Sequence, residues 1–374
     1  MSGASLLTLR SAPVALGPRR AEVTLSHGTV QTPVFMPVGT QATVKTLSAG
    51  DVERLGFEII LANTYHLLLR PGLETLERAG GLHRFMGWPR NILTDSGGYQ
   101  VFSLASRRDV SEEGVRFSSH VDGTMHLLTP ESVTQTQIRM GVDIAMCLDE
   151  CPPYPVSESV ARDMMERTLR WAQRCRESWR KTEGTATRLF VIVQGSTYPA
   201  LRKECAERMV EMDFPGYAIG GLSVGEPKEI MQEMLEVVTP LLPVDRPRYL
   251  MGIGKPEDIL EAVDRGVDMV DCVLPTRNAR NGQALTFDGP LNLRNSSCRA
   301  DFTPIDSDCR CEACGKYTRA YLSHLFRSGE YLGPRLVTLH NLSFMVEFLR
   351  QIRTAIENGE WTTFKKRFLE RYTA

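Results

Sequence analysis

The chain of 374 residues carries 44 basic and 45 acidic side chains, a net charge of −1, with 42% hydrophobic and 24% charged residues. That balance describes a globular protein able to bury a sizeable core, excludes a strongly basic surface overall, and leaves no apolar run long enough to span a bilayer. Nine cysteines, an odd number with three crowded between Cys309 and Cys314, do not suit a secreted disulfide scaffold; they point to metal and to a reducing, cytoplasmic setting.

The first 21 residues contain no acid and hold Arg10, Arg19 and Arg20, but they lack the apolar core of a signal peptide. An ordinary ragged N-terminus is expected there. A hairpin-like piece follows near Glu22–Thr32, and then short apolar runs alternate with longer amphipathic stretches. The expected strands are 34–38, 58–62, 91–94, 143–148, 189–194, 217–220, 248–251 and 268–273. Their apolar runs are continuous rather than alternating, which suits strands covered on both faces.

Between them the spacing predicts helices over 48–55 (capped by Ser48), 129–140, 157–181, 199–212, 227–238 and 256–265, the last stopped by Gly266. The second of these opens Thr-Pro-Glu-Ser, a cap, a first-turn proline and an acid close behind. A second hairpin-like insertion falls at Val115–Leu128. Eight strands with helices between them fit an α/β fold of the (β/α)8 TIM-barrel type better than an open doubly wound sheet. The rhythm changes after the eighth strand. Chain rich in Gly, Asn and Cys reads as a zinc-binding subdomain of about 279–345 set into this single catalytic domain, with closing helices from Arg319 onwards.

In such a barrel the strand ends converge on one mouth, and here they are Asn63, Asp95, Asp149, Gln194, Gly220-Gly221, Gly252 and Asp271. Carboxylates inside or at the end of apolar runs are costly to bury without a task, so Asp95, Asp149 and Asp271 are read as functional. Cys309-x-Cys311-x-x-Cys314 brings three thiolates into one loop. His340 is the preferred fourth ligand because a helix at 319–328 would hold it as a separate arm, with His324 and Cys298 as alternatives nearby. Four protein ligands would close the shell around one structural Zn2+, so the chemistry must come from elsewhere.

Seven motifs then occur in order: TDSGGYQVFSL (Thr94–Leu104), LDECPPYP (Leu148–Pro155), VQGS (Val193–Ser196), AIGGLSVGE (Ala218–Glu226), MGIGKPED (Met251–Asp258), VLPTRNARNGQA (Val273–Ala284) and CRCEAC with LHN (Cys309–Cys314, Leu339–Asn341). Together they resemble bacterial tRNA-guanine transglycosylases of queuosine biosynthesis, and the resemblance runs from about Ser11 to Tyr372. It implies exchange of the wobble guanine of tRNAs with GUN anticodons for 7-aminomethyl-7-deazaguanine, by double displacement through a covalent enzyme–RNA intermediate.

By that resemblance Asp271 is the nucleophile and Asp95 the acid/base. Ser96, Gly97, Gly98, Asp149, Gln194, Gly221 and Leu222 bind the base, which Tyr99 and Met251 sandwich. Gly252, Ile253, Gly254, Lys255, Pro256, Glu257 and Asp258, with Thr276, Arg277, Asn278, Ala279 and Arg280, are expected along the RNA. Between Pro275 and Arg299 four arginines face Asp288 alone, a local basic excess despite the neutral whole. Val224 and Cys151 resemble the bacterial pattern, and the branched Val224 is expected to exclude the larger base queuine. A homodimer through the helix bearing Tyr317, Tyr321 and His324 is implied, and no membrane partner. Three other readings are a queuine-using transglycosylase, a sugar-phosphate barrel enzyme using the strand-seven loop, and a non-catalytic tRNA-binding accessory barrel. The last could lose the carboxylates that this chain keeps.

Overall fold

The computed structural model describes residues 6–12, 14–104 and 108–372. Eight parallel strands close on themselves: β1 (Val34–Pro37), β2 (Ile59–Ala62), β3 (Asn91–Thr94), β4 (Ile144–Met146), β5 (Arg188–Val193), β6 (Gly216–Ile219), β7 (Arg248–Leu250) and β8 (Met269–Cys272). Each pairs with its sequence neighbour, β8 pairs with β1, and a bridge between Val38 and Leu61 completes the β1–β2 seam. The fold is the expected (β/α)8 barrel, with every strand within two residues of its predicted bounds.

Alternation along each strand sorts the core into two shells. Inward-facing Met36, Ile59, Leu61, Leu93, Ile144, Met146, Phe190, Ile192, Tyr249 and Met269 fill the barrel. Outward-facing Phe35, Ile60, Ile92, Val191, Tyr217 and Val270 pack beneath the helices. Helix starts follow the sequence cues. Ser48 accepts from the Asp51 N–H while Asp51 reaches back to Ser48 N, a capping box ahead of helix Ala49–Arg54. At Thr129 the reciprocal partner is Ser132, not the nearby acid; Glu131 instead pairs with Arg174 at 2.7 Å.

The N-terminus corrects the expectation of a ragged end. From Leu6 on, the chain forms a three-stranded antiparallel sheet, Leu7–Leu9, Ala21–Leu25 and Gly28–Thr32. Its Leu6, Leu7, Ala21, Val23 and Val30 join the interior cluster, so the sheet plugs the floor of the barrel. Arg19 is fully buried, with Nε 2.8 Å from Asp268 Oδ1 and Nη2 on the other carboxylate oxygen. Its ordering was invisible in a composition-based reading because the anion lies 249 residues away. Asp268→Ala should cost about 3–5 kcal/mol of stability in urea unfolding, because it strands a buried guanidinium. A loss under ~1 kcal/mol would show that the pair does not anchor the plug.

A second tie at the floor joins the hairpin turn to β4. His27 Nδ1 and His83 Nε2 lie 2.8 and 3.0 Å from the two oxygens of buried Asp143. The two imidazoles stack at 3.7 Å, side by side on one carboxylate. At the opposite face, the insertion after β3 has three strands, Arg108–Val110, Val115–Ser118 and Met125–Leu128, one more than the expected hairpin.

After β8 a third cluster gathers Ala279, Leu293, Cys298, Ile305, Leu322, Phe326 and Val337. It surrounds a hairpin at Gln283–Thr286 and Gly289–Asn292 and a helix at Arg319–Ser328. Helix Leu332–Glu357 links this cluster to the barrel. Its Leu336 and Val337 pack into the small core and its Leu342, Phe344 and Phe348 into the outer barrel shell. No helix of the described residues is long and apolar enough to cross a membrane.

Candidate active site

The C-terminal ends of the strands frame a cleft of about 550 Å³. Asp95 enters it directly after β3, Asp149 three residues after β4, Met251 and Gly252 after β7, and Asp271 from within β8. The three carboxylates therefore share one mouth, as the strand ends implied. Each is held differently.

Asp95 accepts from Asn63 Nδ2 and Gln100 Nε2 (2.7 Å) on Oδ2 and from the Thr64 N–H (2.9 Å) on Oδ1. Burial still pushes its carboxyl up to about 6; the three donors oppose that rise and the charge of Asp271 adds to it. A group that titrates there can both give and take a proton near neutrality. Asp149 accepts from Ser96 Oγ (3.1 Å) and Gln194 Nε2 (2.7 Å), and burial likewise raises it to about 6.

Asp271 receives both of its donors on a single oxygen. Tyr249 O–H at 2.5 Å and Gly252 N–H at 3.0 Å converge on Oδ1, leaving Oδ2 without a protein donor among the described residues. Burial raises this carboxyl, and the two donors pull it back toward the ionised form. The pair orients the group and leaves its second oxygen facing the cleft without a donor among the described residues.

Ser96, Tyr99, Gly221, Leu222 and Met251 also line the cleft, and Tyr99 stands exposed at its rim. Gln194 reaches it through Asp149, and its Oε1 is buried without a partner. Gly97 and Gly98 serve close approach. A Cβ on Gly98 would sit 2.9 Å from the Asp149 carbonyl oxygen, and one on Gly97 3.1 Å from Tyr65 N.

The residues expected along RNA divide. Gly252, Lys255 and Arg277 are exposed, and Arg277 borders the cleft. Ile253, Gly254, Pro256, Thr276 and Ala279 are buried in protein; a Cβ on Gly254 would meet Cys272 Cβ at 2.4 Å. Glu257 and Asp258 occupy the first turn of helix Pro256–Asp264 and pair with Lys228 at 3.6 and 2.6 Å. Asn278 donates to Gln283 Oε1, and half-buried Arg280 keeps one nitrogen unpartnered. The turn after β7 thus does more for Asp271, through the Gly252 N–H, than its glycine pattern suggested.

Sequence reasoning did not assign roles to Tyr249, Gln100 and Thr64, or the clamp role to Asn63. Tyr249 reads as an ordinary apolar strand residue. Only its inward direction on β7, beside Asp271 on β8, reveals the contact.

Away from the cleft, Cys309, Cys311 and Cys314 place their sulfurs 3.6, 3.6 and 3.3 Å from His340 Nδ1. A tetrahedral zinc with bonds of ~2.3 Å to sulfur and ~2.0 Å to nitrogen separates such ligands by about 3.6 Å. His340 Nε2 lies 2.8 Å from the Leu285 carbonyl, which directs Nδ1 to the cysteines. This group can hold a metal ion. The alternatives lie elsewhere: His324 is exposed beside Ser328, and Cys298 is buried against Asn292 O.

A family model described as Queuine tRNA-ribosyltransferase matches residues 15–374. Among similar proteins, the queuine tRNA-ribosyltransferase of Desulforudis audaxviator (strain MP104C) is 56% identical over 351 residues, 94% of either chain. That of Thermoanaerobacter sp. (strain X514) is 54% identical over 346 residues, 92% of either chain. The protein of the same name from Pelotomaculum thermopropionicum (strain DSM 13744 / JCM 10971 / SI) is 56% identical over 347 residues, 92% of this chain and 93% of its own. Full-length likeness at this level, on a barrel whose mouth gathers the three expected carboxylates, places the chain in the queuine tRNA-ribosyltransferase family, the tRNA-guanine transglycosylases.

Proposed function

We propose that this enzyme exchanges the wobble guanine of tRNAs with GUN anticodons for 7-aminomethyl-7-deazaguanine, a step of queuosine biosynthesis, by double displacement. The observation that carries the mechanism is the one-sided clamp on Asp271. Its free oxygen attacks C1′ of the ribose, the C1′–N9 bond breaks with its electron pair on the base, and Asp95 protonates the departing guanine. Asp95 then takes a proton from the incoming base, whose N9 attacks C1′. The ester bond breaks, Asp271 regains its charge, and configuration is retained.

Asp149 accepts the N–H edge of the base, Gln194 and the backbone N–H groups of Gly221 and Leu222 meet its carbonyl oxygen, and Tyr99 and Met251 enclose its faces. Exposed Lys255 and Arg277, with Arg280 behind them, suit anticodon-loop phosphates. Val224 and Cys151 border both the cleft and a second cavity of about 490 Å³. With Val224 branched and in place, the smaller base is favoured over queuine.

The Cys3His group suits one structural Zn2+ bound by Cys309, Cys311, Cys314 and His340. Exposed Phe302, Tyr321 and Tyr331, with Tyr317 stacked on Tyr321, suit a homodimer contact on the same subdomain. The cysteines, free of disulfides, suit a cytoplasmic enzyme.

The test is incorporation of labelled guanine into an unmodified GUN-anticodon tRNA, beside a tRNA lacking the wobble guanosine. Incorporation into both, or neither, rejects the reading. The pH profile adds a second check. Base reading needs ionised Asp149, so kcat/KM should fall as pH drops through about 6. The sign for stability is opposite. Asp95 and Asp149 have folded pKa values above the ordinary carboxylate range, so their ionisation costs stability above about pH 6, and that cost is relieved as pH falls toward the ordinary value. Activity should therefore fail in mild acid before the fold does. Asn63→Ala removes a donor that favours ionised Asp95; because Asp95 acts protonated on the departing guanine, the alkaline limb of kcat/KM for tRNA should move upward. An unmoved limb would remove Asp95 from that limb.

A further inference from the structure

We infer that Arg202 is a positioning residue for base selection: its guanidinium sets and polarises the two peptide groups that face the carbonyl oxygen of the base. This rests on the proposed reading of Gly221 and Leu222.

Arg202 lies on helix Pro199–Glu211, after β5, and is fully buried. It makes four hydrogen bonds, and all go to backbone carbonyls. Nε donates to Ser196 O (2.6 Å), Nη1 to Val193 O (3.0 Å) and Gly220 O (2.7 Å), and Nη2 to Gly221 O (3.1 Å). A buried cation satisfied by neutral carbonyls alone is an expensive way to hold a loop. Burial lowers this guanidinium only to about 10, so it stays charged at neutral pH.

The connectivity explains the placement. The carbonyl of Gly220 and the N–H of Gly221 belong to one peptide plane, and the carbonyl of Gly221 and the N–H of Leu222 to the next. A cation bonded to both carbonyls withdraws electron density across both planes, which makes both N–H groups stronger donors on the side away from the arginine. That far side is the cleft, which Gly221 and Leu222 line. Among the described residues the Leu222 N–H has no partner of its own.

The glycines leave the planes free to be set from behind. Gly221 has φ +62°, and a Cβ there would lie 2.3 Å from Gln194 Oε1. The fork geometry of Arg matters as much as its charge. One guanidinium spans the ends of β5 and β6 and so fixes Gln194 and the Gly220-Gly221 turn in one frame, which a lysine ammonium cannot do.

The experiment compares two bases on zinc-loaded, full-length enzyme: guanine, and 2-aminopurine, which keeps the amino group but has neither the oxygen at C6 nor the hydrogen on N1. Arg202→Lys and Arg202→Gln are assayed beside the wild type, each checked for an intact melting transition. The expected result is a guanine KM raised about tenfold or more, with the inhibition constant of 2-aminopurine within about twofold and kcat changed less than KM. Arg202→Lys, which keeps the charge, should lose less selectivity than Arg202→Gln.

A merely structural arginine would raise both constants by a common factor or lower kcat alone, and either result overturns the inference. So would unchanged constants in both variants. If the wild type itself does not discriminate guanine from 2-aminopurine, the reading of the C6 oxygen fails first, and that is visible without any variant.

Discussion

Replacing Asp271 with Asn is expected to lower guanine exchange by about four orders of magnitude or more while the protein still folds and binds tRNA. The amide keeps the shape and can still accept from Tyr249 O–H and Gly252 N–H through its carbonyl oxygen. What it loses is the anionic oxygen that the proposed reaction bonds to C1′. Trapping discriminates this from a binding defect. Wild-type enzyme incubated with RNA should give a denaturant-stable protein–RNA adduct, and Asp271→Asn should give none at equal tRNA occupancy. Exchange within tenfold of wild type, or an adduct in the variant, would move the nucleophile elsewhere.

Removing the metal should have the second large effect, by a different route. Structural zinc sites contribute apparent binding free energies of about 10–16 kcal/mol near neutral pH, and that binding is folding free energy. The cluster beside the Cys3His group is small, and Ala313, Leu336 and Val337 within it flank the ligands. Its unfolding would not stay local. Asn341, next to His340, donates to Pro275 O (2.9 Å) and Gln283 O (3.0 Å) and accepts from the Leu285 N–H (2.8 Å). Those bonds dock helix Leu274–Arg280, which carries Arg277 and Arg280, onto helix Leu332–Glu357.

Chelation, or Cys309→Ser, should therefore increase amide exchange over 279–345, weaken tRNA affinity and abolish exchange activity. The barrel strands should stay protected. One zinc per chain by elemental analysis is the matching expectation. A metal-free protein with unchanged protection over 279–345 would show that the four ligands do not hold the subdomain.

Much of this protein is determined by local chemistry that a sequence displays. Continuous apolar runs such as Leu189-Phe190-Val191-Ile192-Val193 suit strands covered on both faces, and eight of them separated by amphipathic stretches fit a closed barrel better than an open sheet. The Cys-x-Cys-x-x-Cys spacing declares a metal knuckle because three thiolates so close have few other uses. The carboxylates at strand ends declare a mouth because burial penalises them anywhere else.

Tertiary structure alone decided how those groups are held. The buried anchor of Arg19, the Tyr249 hydroxyl on Asp271 and the Asn63 amide on Asp95 join residues that are 249, 22 and 32 positions apart. A hydrogen bond depends on distance and direction within a few tenths of an ångström. Composition and periodicity carry no such coordinate. Which ligand completes the Cys3His group was settled the same way, by a carbonyl of Leu285 that turns one face of His340 toward the cysteines. The residue types that do the chemistry are written locally; the donors that orient them are chosen only when distant strands meet at one rim.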